Sequence, residues 1–232
     1  MRVGLSGYSY RPWQGEGRFY PPELKQAQYL EFYRSRYDTV EMDGTWYRMP
    51  SADQVEAWKR GTPDDFRFCF KAHRQVTHLA RLKPAAIEPL QFMMKRLEPL
   101  RDRLGPVLLQ LPPNLKRDDE RLRTFLEALD DPMFWHRNWA LEFRNVTWND
   151  DEVEAILSKH GVAWVSADTD DAAAQRRDTA DFAYARLRRS EYDNDALDGW
   201  RSYFKGLEKP SFVFCKHEDE GAPWIWADYL LQ

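Results

Sequence analysis

Short apolar runs alternate along this chain with longer segments whose apolar residues recur at helical spacing. Each short run has the length of a β-strand. The predicted strands occupy residues 3–6, 39–42, 66–71, 107–111, 139–143, 162–167, 182–187 and 211–216. The predicted helical segments occupy residues 24–36, 51–60, 84–104, 118–129, 151–160, 172–176, 195–207 and 222–231. Strands that alternate with helices predict a parallel sheet with right-handed crossovers.

Several helix boundaries carry a capping or stop signal. Ser51, with Gln54 three residues later, has the pattern of a capping box. Asn149 is the expected cap of the helix over residues 151–160. Gly105 and Pro106 are expected to end the longest helix.

Eight strand–helix units favour a closed (β/α)8 TIM barrel over an open doubly wound sheet. An open sheet usually carries a Gly-rich phosphate loop after its first strand, and Gly4, Gly7, Gly15 and Gly17 lack that spacing. We therefore expect an α/β protein with a single TIM-barrel domain over residues 1–232, and we expect no cofactor.

Composition limits the functional classes. The chain has 34 Lys+Arg and 38 Asp+Glu, so its formal net charge is −4, which argues against indiscriminate binding to nucleic acid or anionic membrane. Its two cysteines, Cys69 and Cys215, each lie in an apolar run, which favours buried thiols in a reducing cytosol. No apolar run resembles a signal peptide or a membrane span. We expect a cytoplasmic protein.

Charged and polar residues stand where the predicted strands end. In the stretch WALEFRNVTW, Glu142 and Arg144 share one face of a strand, and Phe143 takes the other. The strand-end residues are Ser6, Glu41, Lys71, Gln110, Glu142, Arg144, Asp168, Arg186 and Lys216 or His217. The C-terminal strand ends of a TIM barrel form its active-site face, so these side chains predict one site at the barrel mouth. The alternative is a structural lattice of ion pairs that closes the top of the barrel.

Roles within this site follow from charge. We expect Glu41, Lys71, Glu142 and Asp168 to be the catalytic residues. Arg144 beside Glu142 should lower the pKa of Glu142, which suits a charge partner, so Glu41 is the preferred base. The residues expected to bind ligand are Tyr8, Trp13, Tyr47, His78, Gln110, Arg144, Trp148, Arg186 and Lys216.

Six segments in order resemble the YecE-like family, domain-of-unknown-function family seventy-two. They are GLSGYSYRPWQGEGRFYP, YDTVEMDGTWYRMPS, FCFKAHRQVTH, LGPVLLQLPPNL, LEFRNVTW and DTADFAYARL. The resemblance implies a TIM barrel, often likened to endonuclease-IV-type and xylose-isomerase-type barrels, and it implies no established reaction. The chain departs from the family pattern after Leu187, where Arg188 and Arg189 replace a His-Gly pair, and after Phe214, where an aromatic-Asn-Asn run is missing.

The strand-end cations favour a small anionic ligand that is phosphorylated, sugar-like or nucleotide-like. Phosphate sites in TIM barrels often follow strands seven and eight, where Arg186 and Lys216 stand. If the protein is an enzyme, acid/base chemistry without an obligatory metal is favoured. One alternative is a nucleic-acid-binding protein, which would lose affinity steeply with salt.

The other alternative is a metal-dependent hydrolase like endonuclease IV. His73, His78 and His217 would then join carboxylates at the strand ends. Lys71, Arg144 and Arg186 on the same rim would weaken cation binding, so we expect no metal.

Overall fold

Eight parallel strands form a nearly closed barrel with helices around it, in a computed structural model that describes residues 1–216 and 221–232. The strands are β1 (Arg2–Leu5), β2 (Thr39–Met42), β3 (Arg67–Lys71), β4 (Leu104–Gln110), β5 (Trp139–Glu142), β6 (Ala163–Asp168), β7 (Ala183–Leu187) and β8 (Ser211–Cys215). Every strand ends within about one residue of the position that the apolar runs predict. The predicted TIM barrel is therefore confirmed.

The barrel closes at a seam between β1 and β2. The order of hydrogen-bonded strands is β1-β8-β7-β6-β5-β4-β3-β2, and an isolated parallel bridge joins Ser6 to Glu41 across the remaining gap. The Gly7 amide donates to the Glu41 carbonyl oxygen at 2.7 Å. Gly4 permits this approach, because a Cβ atom there would lie 2.3 Å from the Thr39 carbonyl oxygen.

Seven α-helices are present in the described ranges. They are α1 (Tyr29–Arg34), α2 (Ala52–Arg60), α3 (Ile87–Leu97), α4 (Asp119–Leu129), α5 (Asp151–Lys159), α6 (Asn194–Gly206) and α7 (Pro223–Leu231). The capping box at the start of α2 is confirmed, because the Gln54 amide donates to Ser51 Oγ at 3.2 Å and the Ser51 amide donates to Gln54 Oε1 at 2.9 Å. Within the described residues, every helix is too short or too polar to cross a membrane.

Three details of the predicted helices are wrong. Asp150, not Asn149, caps α5, because its carboxylate accepts the Glu152 amide at 2.9 Å. Residues 172–176 form no helix, and Thr169 and Ala172 instead exchange backbone hydrogen bonds in a small bridge. The long predicted helix ends at Leu97 and not at residue 104. A 3-10 segment with Pro99 near its start follows it, and residues 104 and 105 already belong to β4.

Two hydrophobic clusters are formed by the residues that the structure describes. The larger one lies between the barrel and its helices and includes Leu109 and Leu141. The smaller one fills the barrel interior and includes Leu108, Ala140, Val165, Tyr184 and Phe214. Leu108 and Ala140 face inward, so Gln110 and Glu142 two residues later also point into the barrel. The apolar interior therefore supports a polar layer at the C-terminal mouth.

Candidate functional site

Arg186 on β7 joins two glutamates at the centre of the mouth. Its Nη2 and Nε atoms lie 2.8 Å and 3.1 Å from Glu41 Oε1. Its Nη1 atom lies 2.7 Å from Glu142 Oε2. Arg186 and Glu41 are 0% exposed and Glu142 is 1% exposed, so one buried cation bridges carboxylates from β2 and β5.

Glu41 is held by donors on several strands. The Tyr184 hydroxyl donates to Glu41 Oε2 at 2.7 Å, and the Ser6 hydroxyl donates to Oε1. Burial by itself would raise the pKa of Glu41, but Arg186 and the hydroxyl donors outweigh it and lower that pKa. Glu41 is therefore an ionised carboxylate whose oxygens are both occupied.

Glu142 has a similar environment. The Gln110 amide donates to Glu142 Oε2 at 2.8 Å, and Arg144 Nε donates to Oε1 at 2.9 Å. Burial opposes ionisation, but Arg186 and Arg144 hold the pKa of Glu142 far below its usual range. The pairing of Glu142 with Arg144 agrees with their shared strand face. Gln110, Glu142, Arg144 and Arg186 thus converge with Glu41, as predicted.

Lys71, at the end of β3, has an unusual environment. It is only 9% exposed, and its Nζ atom lies 5.0 Å from the centre of the Trp46 ring. Among the described residues, it has no hydrogen-bond acceptor and no carboxylate within ion-pair distance. Burial and the nearby Arg186 lower the pKa of Lys71 to about 8, although Glu142 and Glu41 act in the opposite direction. Within residues 1–216 and 221–232, Lys71 is therefore a cation at the mouth without a protein anion bound to it.

Asp43 is a site residue that the sequence analysis missed. It lies two residues after Glu41, so the two-residue period of a strand places it on the same side as Glu41 and could have identified it. The Tyr10 hydroxyl lies 2.9 Å and 3.1 Å from its two carboxylate oxygens, and Lys216 Nζ lies 3.7 Å from Oδ2. Burial raises the pKa of Asp43, while Lys216 acts to lower it. Tyr184 was also missed, and it lies on the face of β7 that carries Arg186.

His78 and Trp46 form part of the rim beside Lys71. Trp46 Nε1 donates to His78 Nδ1 at 3.3 Å, and the Thr77 hydroxyl lies 2.8 Å from the same nitrogen. Burial, Lys71 and Arg144 lower the pKa of His78. The adjacent Tyr47 is 70% exposed, so its ring is available to a ligand.

Four of the sequence-predicted site residues lie outside this network. Asp168 points away from the interior because its neighbour Ala167 packs against the interior cluster. Its Oδ1 accepts from the Tyr192 hydroxyl and the Arg188 amide, and its Oδ2 lies 2.9 Å from Arg189 Nε. Asp168 therefore anchors the loop after β7.

The other three are aromatic. Trp13 is 3% exposed and packs edge-on against Phe19 and Trp224. Trp148 is 1% exposed, stacks on Phe143 and donates to the Leu115 carbonyl oxygen at 2.7 Å. Tyr8 accepts a hydrogen bond from Trp58 Nε1 at 3.0 Å. These rings pack the βα loops, and the expectation that Trp13 and Trp148 touch a ligand stays a prediction.

Two cavities lie beside the polar network. One of about 340 Å³ is lined by Gly7, Tyr8, Tyr10 and Asp43 with other residues of the first two βα loops. Another of about 210 Å³ is lined by Arg144, Phe143 and Trp164 with residues of the next loop. Space for a small molecule thus exists at the rim.

The donor groups of the mouth are poorly suited to a metal ion. Within the described residues, no three His, Cys, Asp or Glu side chains are grouped so as to hold a cation. Arg186 already forms ion pairs with one oxygen of Glu41 and one oxygen of Glu142. His217, which was considered as a metal ligand, lies outside the described residues. The expectation of a metal-free site remains a prediction.

Comparisons with known proteins agree with the fold. The chain is 31% identical to UPF0759 protein YecE of Escherichia coli (strain K12) over 144 residues, which are 62% of this chain and 48% of that protein. It is 29% identical to UPF0759 protein YunF of Bacillus subtilis (strain 168) over 154 residues, which are 63% of this chain and 51% of that protein. The chain thus spans about half the length of these curated relatives.

Solved structures cover more of the chain. A DUF72 family protein from Thermotoga maritima MSB8 superposes with a TM-score of 0.83 and 28% identity, over 97% of this chain and 95% of that one. A DUF72 family protein from Enterococcus faecalis V583 superposes with a TM-score of 0.73 at 17% identity, over 99% and 95% of the two chains, which supports the fold alone. The family described as "Protein of unknown function DUF72" matches residues 2–232, and the chain belongs to that family.

Proposed function

We propose that the protein binds a small anionic ligand at the C-terminal mouth of the barrel. The observation that carries this proposal is Lys71, a nearly buried lysine with no anion bound to it among the described residues. A buried cation is costly unless an anion or a polar group meets it, and a bound anion would supply that partner.

The surrounding charges support the same ligand class. Lys71 and Lys216 lie around a lattice in which Arg186 and Arg144 together balance Glu41 and Glu142. Arg144 is 29% exposed while Glu142 is 1% exposed, so part of its guanidinium remains accessible to a ligand. A phosphate or carboxylate group of a ligand would form ion pairs with these cations, and the exposed ring of Tyr47 would stack on a sugar or a base.

The buried glutamates have a positioning role in this proposal. Glu41 accepts hydrogen bonds from Ser6, Tyr184 and Arg186, and it has a lowered pKa. That environment suits a carboxylate that fixes Arg186 better than a base that takes a proton. If the protein is an enzyme, Lys71 and Asp43 are better placed for proton transfer, because the pKa of Lys71 is lowered and that of Asp43 is raised.

Calorimetric titration with inorganic phosphate and with ribose 5-phosphate tests this proposal. Loss of a charge-assisted hydrogen bond costs about 1.5–3 kcal/mol, so Lys71→Met should weaken binding by roughly 10-fold to 150-fold. Lys159→Met is the matched control, because Lys159 is exposed at the end of α5. Equal affinity in the wild type and in Lys71→Met, or no binding by either protein, would contradict the proposal.

Salt dependence separates a small-molecule site from a nucleic-acid site. A closed pocket should respond weakly to salt between 50 and 200 mM. Binding of a single-stranded oligonucleotide that falls by orders of magnitude over that range would favour the nucleic-acid alternative.

A further inference from the structure

We propose that Lys71 is a nucleophilic amine that forms a Schiff base with an aldehyde or ketone group of the ligand. The substrate class would then be small anionic carbonyl compounds, such as sugar phosphates or oxo acids. This inference rests on the proposed anion site and names the chemistry of its ligand.

The first support is that the two carboxylates that act electrostatically on Lys71 already have hydrogen-bond donors on other residues. Glu41 is bound by Ser6, Tyr184 and Arg186, and Glu142 is bound by Gln110, Arg144 and Arg186. Neither carboxylate lies within ion-pair distance of the Lys71 ammonium among the described residues. The amine is therefore not held in its protonated form by a direct carboxylate partner.

The second support is the charge that faces Lys71. Arg186 on β7 and Lys216 after β8 disfavour the ammonium form, and Glu41 on β2 and Glu142 on β5 favour it, while burial disfavours it most. With a pKa of about 8, roughly one tenth of the amine is free at pH 7, against roughly 0.04% for an exposed lysine with a pKa near 10.4. Free amine is the nucleophile in imine formation, so the site increases its supply by about 200-fold.

The third support is that Lys71 is held in place. The Trp46 ring packs against its ammonium at 5.0 Å, and the Thr45 hydroxyl donates to its carbonyl oxygen at 2.6 Å. The next residue, Ala72, donates from its amide to the Leu108 carbonyl oxygen at 2.8 Å. A nucleophile on a fixed strand end meets a bound carbonyl in a constant geometry, which lowers the entropic cost of attack.

The step balances without a co-reactant. The Nζ lone pair forms a bond to the carbonyl carbon, and the π pair of the C=O bond moves to oxygen. Nζ then loses its two hydrogens, the C–O bond breaks, and the oxygen leaves with those hydrogens as water. The product is a C=N bond between Lys71 and the ligand. Arg144 and Lys216 would bind the anionic group during this exchange.

Reductive trapping tests the inference on the wild-type protein. The protein is incubated at pH 7.5 with glyoxylate or glyceraldehyde 3-phosphate and sodium cyanoborohydride, and peptide mass spectrometry follows the labelling of each lysine. We expect Lys71 to be labelled at least tenfold faster than the exposed Lys159, and inorganic phosphate should slow labelling of Lys71 only. Equal labelling rates for the two lysines would overturn the inference.

A second variant separates the two proposals. Lys71→Arg keeps the positive charge and removes the nucleophile, so it should give no adduct at residue 71 and should bind phosphate more tightly than Lys71→Met does. Phosphate binding that depends on position 71, together with slow labelling of Lys71, would refute the imine and leave the anion site standing. Absence of both phosphate binding and preferential labelling would refute both proposals.

Discussion

Replacing Arg186 by methionine tests whether one buried cation balances the carboxylates of the barrel mouth. The side chain of Arg186 is 0% exposed and contacts Glu41 at 2.8 Å and Glu142 at 2.7 Å. Removing one partner of a buried ion pair costs about 3–5 kcal/mol, because the remaining charge stays buried. Since Arg186 serves two carboxylates, we expect Arg186→Met to lower the free energy of unfolding at pH 7 by about 5 kcal/mol.

The pH dependence of this loss follows from the carboxylate pKa values. In the wild type, Arg186 contributes to lowering the pKa values of Glu41 and Glu142. The two ionised carboxylates therefore stabilise the folded state above their unfolded pKa of about 4.3. This stabilisation is lost as the pH falls through their folded pKa values. In the variant, burial raises the pKa values of both carboxyl groups, which favours the folded state at low pH. The difference in stability between wild type and variant should therefore grow from pH 4 to pH 7.

Urea unfolding followed by tryptophan fluorescence measures the effect, since the chain has 10 tryptophans. Arg144→Met is the control. Arg144 is 29% exposed and Glu142 would keep Arg186 and Gln110, so a loss of about 1 kcal/mol is expected. Adding Glu142→Gln to Arg186→Met should restore part of the stability, which keeps the test informative even if the single variant folds poorly. A loss below about 1 kcal/mol in Arg186→Met would refute the charge argument.

Three further predictions follow from other parts of the structure. In NMR, the pKa of the His78 ring should lie below its usual value of about 6.5, and Lys71→Met should raise the pKa of His78 because a like charge is removed. An unchanged His78 titration in the variant would contradict this electrostatic interaction. Ser51→Ala should cost about 1 kcal/mol in urea unfolding through loss of the capping box, and no loss would show that α2 does not need it. Elemental analysis of the purified protein should find no stoichiometric zinc or manganese, and one tightly held equivalent would favour the endonuclease-like alternative.

Strand periodicity predicted the positions of most mouth residues. Each short run is bounded by turn or cap signals, so its end is readable, and the two-residue period then assigns the inward face. Glu41, Gln110 and Glu142 were identified by their place at these strand ends. Asp168 also stands at a strand end, but Ala167 takes the interior position on β6, so Asp168 points outward.

The partners of these residues could not be read from the sequence. Arg186 was expected to bind a ligand anion, but it contacts Glu41, which lies 145 positions earlier in the chain. Such a pairing depends on the curvature that brings β2 and β7 across the barrel. Aromatic residues were ambiguous for a related reason, since Trp13 and Tyr47 occupy similar loops and only the first is covered by packing.

The pairing of β1 with β8 has a consequence for synthesis of the chain on the ribosome. β1 leaves the exit tunnel long before β8, yet Arg2 of β1 pairs with Phe212 of β8. The sheet therefore stays open along one edge of β1 until residues near 215 have emerged, and pairings so distant in sequence are slow to form. Ser6, Glu41 and Arg186 come from both sides of that junction. A nascent chain that lacks β8 is thus expected to lack the charge lattice as well, and to depend on chaperones to shield its open edge.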